Sequence, residues 1–247
     1  MFGTLGFLSW PSASKSLRQN LAKAEQAHAT TYRLIVVGGH TRSIGKTQLV
    51  CDLVVALPEA NFIAGKITQY GHGVCAQNGE HCGCAPDEHA SAFSWEESAT
   101  SGTDSARFLA AGAKRAFWLR TKQGFLAEGL PVLRESLNSL EADGAEGPLN
   151  VIVESNSLLQ FLKPSLYLTV LDPRRGDFKP SARTALDRAD AFVLRHDLTV
   201  AAAGWPQISV KLFQARPAFL QKEGEPLPEP LLSLVRESLT RHAGVRI

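Results

Sequence analysis

Long apolar runs are missing from this 247-residue sequence. None approaches the roughly 20 residues that a membrane-spanning helix requires. The amino-terminal stretch from Met1 to Trp10 also lacks a basic segment ahead of its apolar side chains, which a secretory signal peptide would have. From these two absences we expect a cytoplasmic protein without a transmembrane segment.

A strong net charge is missing as well. The chain has 26 Lys and Arg against 24 Asp and Glu, which gives a formal net charge of +2 at pH 7. Proteins that bind nucleic acid usually present a strongly basic face, so this balance predicts no nucleic-acid partner. A small phosphorylated ligand would need only a local basic site.

Cysteine is scarce and unevenly placed. Three of the four cysteines fall between positions 75 and 84, unlike a disulfide framework spread over a secreted domain. The fourth, Cys51, stands in an apolar helical pattern and is predicted to be a buried structural residue. The clustered cysteines indicate one local site.

That local site is predicted to bind a metal ion. Thiolates and imidazoles at this density can complete a tetrahedral site for Zn²⁺ or another transition metal, or hold an iron–sulfur cluster. Three alternatives remain open: unligated thiols in a mobile loop, a disulfide among the cysteines, and histidines that bind phosphate. The candidate ligands are Cys75, Cys82 and Cys84, with His72, His81 or His89 as the fourth.

The most informative segment that is present joins an apolar strand to a helix. The run from Leu34 to Val37 leads into two glycines and then into Gly45-Lys46-Thr47, where a helical pattern begins. Backbone N–H groups of such a loop bind phosphate oxygens, the lysine neutralises their charge and the threonine hydroxyl ligates Mg²⁺. The alternative is an ordinary glycine-rich turn. The predicted nucleotide-binding residues are Gly39, Thr41, Arg42, Ser43, Ile44, Gly45, Lys46, Thr47 and Gln48, and Lys46 is also predicted to be catalytic.

The spacing within this segment is irregular. The common pattern Gly-x4-Gly-Lys-Ser/Thr would place its first glycine at position 40, where this chain has His40. Gly39 therefore stands one residue further from Gly45 than the common pattern has it.

A second apolar strand ends in an acid. The run from Asn150 to Val153 leads into Glu154 at the carboxyl end of the predicted strand, where ligands of open α/β sheets bind. We predict that Glu154 is catalytic and either holds Mg²⁺ through water or orients a nucleophile. The alternative is a carboxylate that caps the helical turn starting at Ser157.

Short β-branched runs alternate with helical patterns from Tyr32 onward. This alternation predicts an α/β fold of three layers, with a mostly parallel central sheet flanked by helices. We expect residues 1–31 to form a partly helical extension and residues 32–247 to form one domain, with a cysteine- and histidine-rich insertion at about 69–101. A second irregular segment runs from Asp172 to Pro180. Strands are predicted near 32–37, 61–67, 115–119, 150–154, 166–171, 190–194 and 207–213, and helices at 46–57, 104–112, 123–140, 181–187 and 228–242.

The loop from Gly39 to Thr47 resembles that of the dethiobiotin synthetases, Gly-Thr-Asp-Thr-x-Val-Gly-Lys-Thr, which has the same spacing. Those enzymes belong to the SIMIBI branch of the P-loop NTPases. The chain also resembles the molybdopterin-guanine dinucleotide biosynthesis protein B family, through Gly65-Lys-Ile-Thr68 and the helical pattern that begins with Asp104-Ser-Ala-Arg107. These resemblances imply a P-loop NTPase fold and make Glu154 the acid of the second NTPase motif. They also place three residues near the nucleotide or a bound cofactor: Asp104, Ser105 and Arg107. The alternative for Asp104 and Arg107, which are three residues apart and thus neighbours on one helix face, is an ion pair within the helix or a helix cap.

Recognition of the base is open between ATP and GTP. The segment from Ala189 to Asp197 resembles the strand of related GTPases that ends in Asn-Lys-x-Asp, whose aspartate accepts hydrogen bonds from guanine. Only the aspartate is present here, because Leu194 and Arg195 occupy the Asn and Lys positions. Asp197 is therefore predicted either to bind the base or to lie in an ordinary surface loop.

The leading hypothesis is a nucleoside-triphosphate-hydrolysing protein that assists cofactor or metallocentre biosynthesis, with water as the nucleophile. Nickel-handling GTPases of the same branch are similar in placing cysteine and histidine sites near the nucleotide, and related NTPases often work as dimers. The resemblance thus implies a cofactor-biosynthesis or metalloenzyme partner protein and a homodimer. Two alternatives are an ATP-dependent ligase like dethiobiotin synthetase and a non-catalytic nucleotide- and metal-binding switch or adaptor.

Overall fold

The structure is a computed structural model that describes residues 32–70, 90–142, 148–197, 205 and 208–241. These residues all belong to one structural unit, Thr31–Ile247. The predicted amino-terminal extension, residues 1–31, lies outside the described residues. The same holds for the predicted metal ligands His72, Cys75, His81, Cys82, Cys84 and His89.

Eight strands form a single sheet in the described residues: β1 (Tyr32–Gly39), β2 (Ile63–Tyr70), β3 (Ser91–Trp95), β4 (Arg115–Lys122), β5 (Leu149–Glu154), β6 (Leu166–Leu171), β7 (Ala191–Leu194) and β8 (Ala218–Leu220). Their order across the sheet is β3-β4-β2-β5-β1-β6-β7-β8. Neighbouring strands are parallel except for the edge pair of β3 and β4, which is antiparallel. The predicted α/β fold with a mostly parallel sheet is therefore confirmed.

Helices connect these strands and cover the sheet. The described α-helices are α1 (Lys46–Ala56), α2 (Asp104–Ala110), α3 (Leu126–Ala142), α4 (Pro180–Ala185), α5 (Val210–Gln214) and α6 (Glu229–Arg241). Short 3₁₀ helices span Pro58–Ala60, Ser157–Gln160 and Leu186–Arg188. Within the described parts of the chain, none of the helices has both the length and the apolar character needed to cross a membrane.

Side chains of β1 alternate between two apolar clusters, because successive residues of a strand point to opposite faces. Leu34 packs in the cluster that contains Leu133 of α3, whereas Ile35 packs in the cluster that contains Leu49 of α1. All four side chains are fully buried. Burial on both faces is typical of parallel strands joined by crossover helices, and it explains why the central strands are continuous apolar runs in the sequence.

Most of the predicted strands agree with the structure, but the strand predicted at 207–213 is wrong. That segment contains α5, and the strand on this side of the sheet, β8, lies further along the chain. Ile208 and Leu212 are four residues apart and both pack on the apolar core, which is the spacing of one helix face. The segment has too few apolar positions for its sequence to separate this spacing from the alternation of a strand.

Strand β3 is absent from the sequence prediction, which treats residues 69–101 as irregular. It pairs with β4 from Ser91 opposite Thr121 to Trp95 opposite Phe117. All five of its residues are half-buried, as expected for an edge strand that lacks a neighbour on one side. Such a strand has neither a continuous apolar run nor a strict alternation, so its sequence pattern is weak.

Strand β1 lies at the point in the sheet where the order of the strands reverses, with β2 to β5 on one side of it and β6 to β8 on the other. Its neighbours are β5 on one side and β6 on the other, so the chain crosses from one half of the sheet to the other between these two strands. Ligands of open α/β sheets bind in the crevice at the carboxyl ends of the strands at such a point. The loop that follows β1 is therefore placed where this fold binds its ligands.

Candidate functional site

The loop between β1 and α1 turns sharply through residues in the left-handed region of backbone conformation. Ser43 has φ 52° and Gly45, immediately before the helix, has φ 86°. A Cβ atom on Gly39 would lie 2.7 Å from Cδ1 of Ile44 and 2.9 Å from Cδ of Lys46. The strand end and the start of the helix are thus so close that the last residue of β1 has no room for a side chain.

Lys46 reaches back across this loop. Its Nζ atom donates to the carbonyl of Thr41 at 3.0 Å and lies 3.9 Å from Oε1 of Glu154. Burial lowers the pKa of Lys46, whereas the negative charge of Glu154 opposes this shift. These two contacts hold the ammonium group beside the loop that the sequence predicts to bind phosphate.

The structure brings Thr47 and Glu154 together. The hydroxyl of Thr47 donates to Oε2 of Glu154 at 2.6 Å, and the carboxylate is only 6% exposed. Capping of the following 3₁₀ turn falls to Ser155, whose hydroxyl accepts the N–H of Leu158 at 3.1 Å. Glu154 is thus directed toward the loop, and the alternative interpretation of this acid as a helix cap does not apply.

The contact between Thr47 and Glu154 fits a magnesium ion. A hydroxyl oxygen and a carboxylate oxygen are the hard oxygen ligands that Mg²⁺ prefers in phosphate-binding sites. The described residues contain no group of three or more His, Cys, Asp or Glu that could hold a metal ion through protein ligands alone. The oxygens of Thr47 and Glu154 therefore fit Mg²⁺ that completes its coordination with phosphate oxygens and water.

Lys66 is a site residue that the sequence analysis did not assign. The register of β2 and β5 places it opposite Glu154, and its Nζ atom lies 3.5 Å from Oε1 of that residue. Its ammonium also pairs with the carboxylate of Asp104. Glu154 therefore lies between two ammonium groups, those of Lys46 and Lys66. The sequence signal was a lysine within the apolar run Ile63–Ile67, but only the strand register shows which acid it contacts.

The residues of α2 that resemble a cofactor-biosynthesis motif divide into two groups. Asp104 pairs with Lys66 and lies 3.8 Å from Nη1 of Arg107, and Nη2 of Arg107 donates to Oε1 of Gln48 at 2.7 Å. Asp104 and Arg107 are thus connected to both β2 and α1. The hydroxyl of Ser105 instead donates to Glu96.

Cys51 is buried as predicted, and burial raises its pKa to about 11.

Asn156 fixes the end of β1. Its amide group accepts the N–H of Gly39 at 2.9 Å and donates to the carbonyl of the same residue at 2.8 Å. This paired contact replaces the ladder bonds that another strand would have made. The role of Asn156 is not predicted from the sequence, because its partner residue lies far away in the chain.

Arg195 holds the other end of the loop. Its Nη2 atom donates to the carbonyl of Gly45 at 2.6 Å and its Nε atom donates to the carbonyl of Ile44 at 3.2 Å. Asp197 lies two residues further along the chain and is exposed. The role of Asp197 in recognising the base remains a prediction.

Residues 172–179, which follow β6, fold against the phosphate loop and are called the strap below. The backbone N–H of Lys179 donates to the carbonyl of His40 at 2.9 Å, and the hydroxyl of Thr41 donates to the carboxylate of Asp177. The bond from Thr41 is the main cause that lowers the pKa of Asp177. The sequence marks the strap only as irregular, yet it fixes the first residues of the loop.

His40 occupies the position where the common motif has its first glycine. Its side chain is fully buried, with its ring centroid 5.1 Å from that of Phe178 and 5.0 Å from that of Trp205. Neither ring nitrogen has a hydrogen-bond partner among the described residues, and burial lowers the pKa of His40. The backbone N–H of His40 donates to Val170 at 3.3 Å, so this residue continues the pairing of β1 with β6.

Comparison with known proteins gives structural similarity at low sequence identity. No protein-family model matches the chain, and no curated protein matches its sequence. HypB from Helicobacter pylori, solved in complex with nickel, is 11% identical, with a TM-score of 0.43 over 92% of this chain and 95% of that one. The "apo" form of LpxK from Aquifex aeolicus, solved in complex with ATP, is 14% identical, with a TM-score of 0.40 over 83% of this chain and 60% of that one. Similarity of this size identifies neither the family of the chain nor its ligands.

Proposed function

We propose that this protein is a P-loop NTPase that binds the phosphates of ATP or GTP in the loop from Gly39 to Thr47 and hydrolyses the terminal phosphate. The observation that carries the proposal is the meeting of Thr47 and Glu154 beside the ammonium group of Lys46. A hydroxyl, a buried carboxylate and a lysine at the amino end of a helix are the groups that a magnesium nucleotide requires.

The loop and α1 supply the phosphate-binding part of this proposal. The backbone N–H groups from Ser43 to Thr47 precede or open an 11-residue helix, whose amino end favours negative charge. Lys46 adds a full positive charge that the loop itself holds in place through the carbonyl of Thr41. Negative charge that develops on a transferring phosphoryl group would be stabilised by these preorganised groups.

Thr47 and Glu154 would hold Mg²⁺. The bound ion neutralises charge on the phosphate oxygens and fixes their orientation. Glu154 is kept in position by three contacts, the hydroxyl of Thr47 and the ammonium groups of Lys46 and Lys66. Its role in this proposal is to position the metal and its bound water, and attack on the phosphate is by water.

Cofactor or metallocentre assembly is the process that we propose this hydrolysis serves. Strand β2 supports it, because it carries Lys66 against Glu154 and ends at Tyr70, where the cysteine- and histidine-rich segment begins. The segment that would hold the metal thus directly follows the strand that carries Lys66, a residue of the nucleotide site. Native mass spectrometry of protein purified without chelator tests this part. Bound transition metal supports it, and its absence together with absent pterin or other cofactor counts against it.

Phosphate release tests the enzymatic part. Hydrolysis of ATP and of GTP is measured with Mg²⁺ for the wild type, for Lys46→Ala and for Lys114→Ala as a matched control. Lys114 is exposed and directly precedes β4, at the amino ends of the parallel strands, whereas the phosphate loop follows the carboxyl end of β1. We expect hydrolysis to fall at least about 100-fold in Lys46→Ala and to stay near the wild-type rate in Lys114→Ala.

Other outcomes separate the alternatives. Equal rates in the wild type and in Lys46→Ala would exclude catalysis at this loop. Nucleotide binding without turnover would favour an adaptor, and turnover that requires a carboxylate acceptor would favour a ligase. A GTP preference that is lost in Asp197→Ala would assign that residue to base recognition.

A further inference from the structure

A second concave surface lies beside the phosphate loop, between the loop and the strap. It forms an open cavity of about 310 Å³. This volume is at the lower end of the range for small-molecule sites, which is roughly 300–1,000 Å³. The lining residues are Thr41, Arg42 and Ser43 from the loop and Arg175, Asp177, Phe178 and Lys179 from the strap.

The charged residues that line the cavity are mostly basic. Arg42, Arg175 and Lys179 contribute positive charges, and Asp177 contributes the single carboxylate. That carboxylate already accepts the hydroxyl of Thr41, so part of its hydrogen-bonding capacity is used within the wall. A small anion in the cavity would meet donors from both sides.

The positive groups near the cavity are crowded. Burial lowers the pKa of Lys179, the charges of Arg42 and Lys46 lower it further, and the charges of Asp177 and Glu154 oppose the shift. Like charges held together in this way raise the free energy of a site until an anion binds. The cavity therefore has the electrostatic character of an anion-binding site.

This cavity adjoins the phosphate-binding loop and shares Thr41, Arg42 and Ser43 with it. Lys46 and Thr47, further along the loop, do not line it, and neither does Glu154. The cavity is instead bounded by the first half of the loop and by the strap that follows β6. A nucleotide in the loop and a second ligand in the cavity would share a wall formed by residues 41–43.

The walls of the cavity are held by contacts outside it. The N–H of Lys179 donates to the carbonyl of His40, and the ring of Phe178 packs on the ring of His40. The indole N–H of Trp205 donates to the carbonyl of Arg175 at 2.7 Å. The strap is thus fixed at three of the residues that line the cavity, so this wall is in place before a ligand binds.

We propose that this cavity binds a small molecule through a phosphate or carboxylate group while nucleotide occupies the phosphate loop. Arg175 and Lys179 from the strap and Arg42 from the loop bind the anionic group. The proposal rests on the proposed function, because it takes the neighbouring loop to be the nucleotide site. It adds a second ligand of defined chemistry to that site.

Calorimetric titration with inorganic phosphate and with succinate tests the cavity in two arms that occupy the loop or weaken it as a competing site. In the first arm the wild type is saturated with Mg²⁺ and a non-hydrolysable nucleotide. In the second arm Lys46→Ala is titrated without nucleotide. We expect saturable binding of at least one anion in both arms, and the tighter anion identifies the recognised group.

The variant Arg175→Ala/Lys179→Ala is then made in each background. We expect it to weaken anion binding by at least about tenfold, because charge-assisted hydrogen bonds are lost. Arg175→Lys should give an intermediate affinity, and Lys114→Ala should bind as the parent does. Thermal unfolding of each variant shows that the fold is retained.

Two results would overturn the cavity proposal: no saturable anion binding in either arm, or an affinity that the double variant leaves unchanged. Failure of the proposed function is seen separately, as wild-type protein that does not bind nucleotide. In that event the second arm alone decides whether the cavity binds an anion.

Discussion

Thr47 and Glu154 are 107 residues apart in the chain, and the hydroxyl of one donates to the carboxylate of the other at 2.6 Å. The contact joins the first residues of α1 to the end of β5, because β5 is the direct neighbour of β1 in the sheet. Two local sequence signals, a phosphate loop and a strand that ends in an acid, thereby become one site. The metal-binding proposal can therefore be tested by mutation of Glu154.

Glu154→Gln keeps the shape of the side chain and its bond to Thr47 but removes the negative charge between Lys46 and Lys66. We expect the Mg²⁺ concentration at half-maximal nucleotide binding to rise at least about tenfold, because a carboxylate ligand is lost. Titration with Mg²⁺ at fixed nucleotide concentration measures this shift. Glu96→Gln is the control, since Glu96 accepts hydroxyl bonds elsewhere. An unchanged magnesium requirement in Glu154→Gln would exclude Glu154 from the metal site.

Gly45 and Arg195 are expected to be coupled. An alanine at position 45 would adopt φ +86° and place its Cβ 2.5 Å from Nη2 of Arg195. The backbone strain alone costs about 1–2 kcal/mol, and the overlap adds to it. Arg195→Ala removes the overlap, so the double variant should be destabilised less than the sum of the single variants.

Urea unfolding of the four proteins measures this coupling as a double-mutant cycle. Free energies that add within about 0.5 kcal/mol would contradict the contact between Arg195 and the loop. Nucleotide affinity of Arg195→Ala should also fall, because the carbonyls of Ile44 and Gly45 lose the group that orients them.

Asn156 is expected to act through the shape of the loop. Asn156→Asp places an acceptor opposite the carbonyl of Gly39, where the amide now donates. We expect the free energy of unfolding to fall by about 1–3 kcal/mol and nucleotide affinity to fall with it. Asn138→Ala is the matched control, because Asn138 contacts the hydroxyl of Tyr32 at the opposite end of β1. It should affect stability without affecting nucleotide affinity, and a loss of affinity in both variants would mean that Asn156 acts only through general stability.

The burial of His40 is expected to make the stability of the folded protein depend on pH. Burial lowers the pKa of His40 below the ordinary 6.5. The backbone of Val170, the carboxylate of Asp177, the backbone of Arg175 and the carboxylate of Asp172 only partly oppose this shift. The unfolded chain therefore binds a proton below about pH 6.5 that the folded protein does not, so stability falls as the pH decreases. For one histidine the slope is at most about 1.4 kcal/mol per pH unit.

His40→Phe retains an aromatic ring in the cluster with Phe178 and Trp205 but cannot titrate. Between about pH 7.5 and about pH 5.5, its free energy of unfolding should fall less than that of the wild type. His196→Gln, which changes a half-exposed histidine, should keep the wild-type profile. Parallel profiles for the wild type and His40→Phe would show that His40 does not contribute to the pH dependence.

The parts of this molecule that the sequence predicts are those with local signals. Buried parallel strands have continuous apolar runs, and the sequence from Gly39 to Thr47 marks a phosphate loop through residues that are close together in the chain. Lys66 and Asn156 were not assigned roles, because their partners depend on the strand order and on the register between strands. No spacing within one segment contains that information.

The same distinction explains the errors in secondary structure. Strand β3 is held by pairing along one edge, and α5 is too short for its apolar spacing to be unambiguous. The role of the strap was also hidden, because its contacts with His40 and Thr41 join two loops. Irregular segments have no periodicity from which such contacts could be predicted.

The position of His40 has a consequence for the length of the phosphate loop. Its N–H is hydrogen-bonded to β6 and its carbonyl is hydrogen-bonded to the strap, so the residue is fixed on both sides of the backbone. Deleting one residue between Gly39 and Gly45 would restore the common motif length but would pull His40 out of one of these bonds. The length of the loop is thus set by the neighbouring strand.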